Sequence, residues 1–158
     1  VRYIRHEQRC DNAGPGQMRG GTGVRYEADI LEPAIWSFRA EGLDTPSGHG
    51  VEGGGTGGVG FEWIAPIDEE ADGPTFVPPK YGVTKLGPAR MIAETPGGGG
   101  WGDPFNRDPD LVLRDVQDGV VSPEAARNDY GVVVTQSLQA VDVEATEVVR
   151  GRRNASSS

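Results

Sequence analysis

Hydrophobic and polar positions alternate most clearly from Val24 to Ile30. Val24, Tyr26, Ala28 and Ile30 fall on one face and Arg25, Glu27 and Asp29 on the other, which is the two-residue period of a half-buried strand with its charges in solvent. A looser alternation over Val1 to Arg9 predicts a strand at the start. Ala34 to Ala40, with Trp36 and Phe38, predicts another after the break at Pro33, and extended patterns resume at Val59 to Ile64 and at Ala89 to Thr95. The intervening stretches have no period. Gly14-Pro15-Gly16 and Gly20-Gly21-Thr22-Gly23 read as turns, and residues 42 to 60 hold nine glycines without any periodic apolar set. Asp68 to Asp72 reads as an acidic loop, and Pro74, Pro78 and Pro79 favour polyproline II geometry nearby.

After the four glycines Gly97 to Gly100 the pattern turns helical. Asp108-Pro109-Asp110 places a capping carboxylate before a proline at the first helical position, and Gly119 supplies a stop. Ser122-Pro123-Glu124 repeats the device, with Gly131 ending a second short helix before the apolar run Val132 to Thr135, read as a strand. Asp142 predicts the cap of a third helix to about Arg150, with Arg150, Arg152 and Arg153 forming its basic end and a solvated tail. The chain therefore divides into a β-rich part, 1–95, with glycine-rich irregular segments, and a part, 96–158, made of a glycine-rich linker, short helices and a tail.

Composition changes this picture in one respect. Only 35% of the 158 residues are hydrophobic, while Gly fills 25 positions and Pro 12. So little apolar area offsets the entropy of ordering so many glycines that a partner is expected to supply packing surface, making the two parts one unit completed by another chain. The formal charge of -9 argues against nucleic acid or an anionic membrane as partner, since both would be repelled. A single cysteine, Cys10, excludes an internal disulfide and fits a reducing cytoplasm. No apolar run approaches the roughly 20 residues of a membrane span. Val1 at the first position fits a processed chain or one that begins inside a longer gene product.

Several motifs carry potential chemistry. Gly53, Gly55, Gly58 and Gly97, Gly99, Gly102 each fit G-x-G-x-x-G, but a dinucleotide site needs a helix opening at the last glycine, and neither stretch is followed directly by one. Packed glycine segments explain both better. Asp103, Asn106, Asp108 and Asp110 lack the central Gly and distal Glu of a calcium loop and read as helix caps. His6 and Cys10, four apart, would share a strand face and with Asp11 could approach a metal, but two or three ligands are too few for a structural zinc site, so no cofactor or metal is assigned to this chain. The helical pair around Gly119 imitates a helix-turn-helix, yet Glu124 and Asp129 oppose the single Arg127, leaving a docking element as the better account. His49, between two glycines in the irregular segment, is the candidate proton-exchanging catalytic residue. Arg19 is the candidate contact for a substrate carboxylate or phosphate, with an internal salt bridge as its structural alternative.

The run Thr95-Pro-Gly-Gly-Gly-Gly-Trp-Gly-Asp-Pro-Phe-Asn-Arg-Asp-Pro-Asp-Leu-Val, continued by Val121-Ser-Pro-Glu-Ala-Ala-Arg-Asn-Asp-Tyr-Gly-Val-Val, closely resembles the end of hydantoinase B-family subunits. Asp11 to Gly23, with its glycines and Arg19, and Asp142 to Arg153 resemble the same family. The resemblance implies a β-rich α+β fold, barrel-like, running into bundled polyproline II-like segments and two or three short helices. It also implies membership of a multi-subunit, ATP-dependent enzyme: in first place a ketone carboxylase of the acetone or acetophenone type, in which this chain is mainly structural and contributes to the active-site wall, and as the alternative an N-methylhydantoinase or oxoprolinase-type cyclic amide hydrolase. A purely structural module is the alternative from another class. The implied partners are a larger hydantoinase B-like subunit and a kinase-like hydantoinase A-type subunit that uses ATP and Mg, any metal lying in a partner chain, with the isolated chain inactive.

Overall fold

The computed structural model describes residues 1–67 and 76–156; the acidic stretch Asp68 to Asp72 and Pro74 lie outside them. Among the described residues six strands come first: β1 (Arg2–Gln8), β2 (Val24–Ile30), β3 (Ala34–Arg39), β4 (Phe61–Ala65), β5 (Tyr81–Leu86) and β6 (Ala89–Glu94). A 3-10 turn, Pro104–Asn106, leads into α1 (Pro109–Gln117), α2 (Pro123–Tyr130) and α3 (Val143–Ser156). The fold is thus a sheet-rich α+β arrangement with three helices at its C-terminal end. Among the described residues no helix is long and apolar enough to cross a membrane.

β1, β2, β6 and β4 form one antiparallel sheet in that order, while β3 and β5 pair in a second. Trp36 and Phe38 of β3 pack with Ile64 of β4 and Ala89 of β6, and Ile30, Ala34, Leu86 and Met91 close the edges of this core. The short links Leu31–Pro33 and Gly87-Pro88 carry the chain from one layer to the other. These described sheets are open, with β1 and β4 at the edges of the larger one, so the expected barrel-like closure is not seen. Its physical counterpart is sheet-on-sheet packing, which buries the apolar faces without closing a ring.

β5 escapes the hydrophobic reading because Gly82 and Lys85 interrupt its pattern; pairing with β3, from Ala34 opposite Leu86 to Arg39 opposite Tyr81, defines it instead. The polar face of β2 also departs from expectation, because Glu27 and Asp29 are buried. Long arginines from neighbouring strands cover them. Asp29, fully buried, takes Arg90 Nε at 2.7 Å and Arg2 Nη2 at 2.6 Å, and Glu27 accepts from Arg25 at 2.7 Å. Arg25 and Arg9 each reach Glu94 at 3.0 Å, so the ion pairs run across three strands.

The hydrogen bonds from Arg90, ahead of those from Arg2 and against the opposing effect of burial, hold the Asp29 carboxyl below its ordinary range. A depressed folded-state value stabilises the fold above the unfolded value near about 4, and that contribution is lost as pH falls through the lowered value. Asp29→Asn is therefore expected to lower stability at neutral pH and to flatten its decline below about pH 4. Denaturant midpoints taken between pH 6 and pH 2 test this; parallel acid limbs for the two proteins would refute it.

The helical part has its own core: Val112 and Val116 of α1, Ala126 and Tyr130 of α2, and Val121 and Val132 from the connections. Caps sit where the sequence placed them. Asp108 accepts from the Asp110 amide at 2.9 Å, Ser122 from Ala125 at 3.0 Å and Asp142 from Ala145 at 3.0 Å, and Gly131 ends α2 at a φ of 65°. Val132 to Thr135 is not a strand; Val134 makes only an isolated bridge to Val141. The basic end of α3 is exposed from Gly151 to Arg153, as expected of a helix end, and two of its arginines also reach back to the fold. Arg150 donates to the Tyr130 and Arg107 carbonyls, and Arg153 lies over the Phe105 ring at 4.1 Å while pairing with Asp103 at 2.7 Å.

Candidate functional site

Three glycine-rich segments, residues 12–23, 48–58 and 97–102, run together between the sheets and the helices and bond through their main chains. Gly14 donates to Gly98, Gly55 to Pro15, Gly57 to Gly48, Gly58 to Asn12, Gly97 to Gly58 and Gly100 to Gly55, all between 2.6 and 2.9 Å. The backbones approach so closely that side chains are excluded: a Cβ on Gly99 would overlap the His49 carbonyl oxygen, and one on Gly97 the carbonyl of Asn12. Asn12, 4% exposed, is the polar centre of this bundle. Its side-chain oxygen accepts the Gly23 amide at 2.9 Å while its main-chain oxygen takes Gly58. Sequence reasoning missed Asn12, whose only signal is a short polar side chain beside a glycine-proline turn.

Arg19 leaves the bundle toward α1. Its guanidinium pairs with Asp115 at 3.0 Å and donates to the Gly20 carbonyl at 2.7 Å; on the other side Arg107 pairs with Asp115 at 3.0 Å and donates to the Gln17 carbonyl at 3.1 Å. Asp115 and Arg107 are both buried, so one carboxylate bridges two cations and fastens the helices to the glycine segments. Arg19 is thereby engaged in the internal salt bridge offered as its structural alternative. Tyr130 lies among these charges, and burial, ahead of the opposing Arg107 and the reinforcing Asp115, pushes its phenol up to about 12.

His49 is exposed on the bundle surface, where its main chain is fixed against Gly99. The imidazole makes no hydrogen bond with any described residue, and it does not meet Arg19. His6 stands edge-on to Tyr26 at 6.0 Å, while Asp11 accepts the Ser122 amide at 2.7 Å and so docks α2. Burial, then Asp11, raises the Cys10 thiol, which disfavours the thiolate that metal binding needs. Among the described residues no group of three or more His, Cys, Asp or Glu is placed to hold a metal.

A partly enclosed cleft lies along the β4 edge. Ile64 exchanges both main-chain bonds with Phe76, at 2.8 and 3.0 Å, so by strand parity the Glu62 N–H and C=O also point outward. The next partner in register is Pro78, which has no N–H, and the ladder stops there. The resulting cleft, about 470 Å³, is walled by Leu43, Phe61, Trp63, Val77 and Pro78 with Lys80 at its rim. Lys80 is paired with Glu41 at 2.9 Å, the Trp63 indole N–H is buried with no partner among the described residues, and burial raises the Glu62 carboxyl. This cleft can hold an apolar or amide-bearing group. Among the described residues no Ser, Thr, Cys or His lines it.

Residues 1–104 match the family model described as hydantoinase B/oxoprolinase. The B subunit of a putative D-/L-hydantoinase from a Pseudomonas species is 33% identical over 151 residues, 95% of this chain and 25% of that protein. The beta subunit of the Pseudomonas jessenii caprolactamase is 34% identical over 153 residues, 92% of this chain and 25% of its own length. The crystal structure of the ATP-dependent caprolactamase from that organism superposes with a TM-score of 0.69 at 30% identity, covering 93% of this chain and 25% of the other. Nucleotide-free acetone carboxylase gives the same TM-score at 22% identity, over 98% of this chain and 25% of its own, a likeness of fold. The chain thus spans about a quarter of the length of each of these relatives, and it belongs to the hydantoinase B/oxoprolinase family.

Proposed function

We propose that this chain is the C-terminal portion of a hydantoinase B-type subunit in an ATP-dependent, multi-subunit enzyme that opens a cyclic amide, and that its part is chiefly to frame the site. The observation that carries this reading is the 34% identity to a caprolactamase subunit over 92% of the chain, joined to a shared fold. The internal use of its polar groups supports the framing role: Asp115 answers Arg19 and Arg107, and the glycine amides answer glycine carbonyls. The close side-by-side packing of the glycine segments, one pair antiparallel and one parallel, supports the polyproline II-like bundle expected of the family, with 1–95 and 96–158 acting as one unit.

In this reading a kinase-like hydantoinase A-type partner uses ATP and Mg to phosphorylate the amide oxygen. Water adds to the activated carbon, the C–N bond breaks as the ring nitrogen takes a proton, and the acyl phosphate left behind is hydrolysed to carboxylate and phosphate, so each ring opened consumes one ATP. A larger hydantoinase B-like body supplies the remaining walls and any metal, and the assembly is cytoplasmic. Ketone carboxylation, which uses the same activation, is the second reading; the acetone carboxylase fold favours it. His49 is proposed as a proton-transferring residue on the wall of the site, since it is an exposed imidazole on a rigid support.

Purified assembly is expected to release ADP when offered a five- to seven-membered cyclic amide, and to yield the ring-opened amino acid without bicarbonate. A requirement for ketone and bicarbonate transfers the proposal to the second reading. His49→Ala should lower kcat about a hundredfold, as for a lost proton-transfer group, with the subunits still associated. Unchanged kcat removes His49 from the site.

A further inference from the structure

The glycine bundle ends in an apolar patch that nothing among the described residues covers. Met18, Val51 and Trp101 come from its three separate segments and are 62%, 55% and 50% exposed. Trp101 bridges Met18 on one side, antiparallel, and Val51 on the other, parallel. Directly bridged residues carry their side chains on one face, so the three project together. Their main chains are fixed: the Met18 and Trp101 amides exchange bonds at 2.9 Å, Val51 donates to Gly100 at 2.9 Å, and Gly102 donates to Val51 at 3.0 Å. Behind them Gly16 lies so close that a Cβ there would come within 2.7 Å of the Trp101 amide nitrogen.

We infer that this Met18–Val51–Trp101 patch is a docking surface for the part of the hydantoinase B-type subunit that lies outside these 158 residues. A tryptophan and a methionine held on immobile backbone are the composition of an interface anchor, because large apolar area is presented with little conformational entropy left to lose. The occupant follows from length. The relatives that match almost all of this chain are about four times as long, so in them this unit is embedded in a much larger body of the same family. The proposal rests on the scaffold reading given above and adds to it the face through which the scaffold is held. The contacting element should be apolar and concave enough to take an indole.

The test uses the assembled enzyme with a photoreactive benzoylphenylalanine replacing Met18. Cross-links should map to hydantoinase B-type sequence outside residues 1–158. Trp101→Ala should weaken that link about tenfold or more, while Ile35→Ala, at a 76% exposed position on the β3–β5 sheet, should leave it unchanged. Cross-links to a second copy of this patch, to the kinase-type subunit, or to no peptide at all overturn the inference, as does an undiminished link in Trp101→Ala. Failure of the reaction assignment is separate. An assembly that carboxylates ketones still yields the expected cross-link, and one that opens cyclic amides still overturns the docking face if the link maps elsewhere.

Discussion

Gly99→Ala is expected to lower the stability of the folded assembly by about 4 kcal/mol or more, whereas Gly21→Ala should stay within about 0.5 kcal/mol of the parent. The two substitutions add the same methyl group to the same kind of segment. At Gly99 the methyl would coincide with the His49 carbonyl oxygen and press on the Gly50 amide nitrogen; at Gly21 it meets nothing within 4 Å. His49 cannot yield, because it lies on a run in which the Gly48 carbonyl holds Gly57 and the Val51 amide holds Gly100. Relief at one contact therefore breaks others, and side-chain repacking, the usual remedy for overpacking, is missing here. For a chain of this size the loss corresponds to a fall in Tm of about 10 °C or more. Calorimetry on the two variants decides the matter, and a Gly99→Ala protein melting within a degree of the parent would show that the bundle breathes more than its geometry implies.

Asp115→Ala should cost about 3 to 5 kcal/mol, the range for removing one member of a buried ion cluster. Its carboxylate is the shared anion of Arg19 and Arg107, and without it two guanidinium groups face each other with Nε atoms that already lack partners among the described residues. Asp115→Asn should recover little, since an amide oxygen cannot neutralise either cation. Added salt should restore only a small part of the loss, because charges so far from solvent are weakly screened. The damage is expected to be local in the first instance: amide exchange in α1 and α2 should speed up before exchange in β2 and β6 does. Uniform acceleration across all elements, or variants within about 1 kcal/mol of the parent, would remove Asp115 from its bridging role.

Where the chain announced its structure, it did so through local chemistry. Asp108-Pro109, Ser122-Pro123 and Asp142 act within one helical turn, so the three helix starts are legible. Val24 to Ile30 likewise shows its period on the page. What stayed hidden depends on distant partners. The β2 carboxylates look solvent-facing until Arg2 and Arg90 arrive from other strands, and β5 has no pattern of its own until β3 pairs with it. The same holds at the candidate site. Arg19 is visible as a fork-shaped donor, but its engagement depends on Asp115, 96 positions away. The β4 cleft gathers Leu43, Trp63 and Pro78 from separate parts of the chain, which no local signal discloses.

The glycine bundle also has a genetic consequence. Every change in the first or second base of a glycine codon that still encodes an amino acid installs a β-carbon. At Gly14, Gly20, Gly48, Gly54, Gly57, Gly97, Gly99 and Gly100 that carbon has no room. Such codons have no missense neighbours that selection can treat as neutral, so the lineage can drift along its strands and helices while these positions stand still.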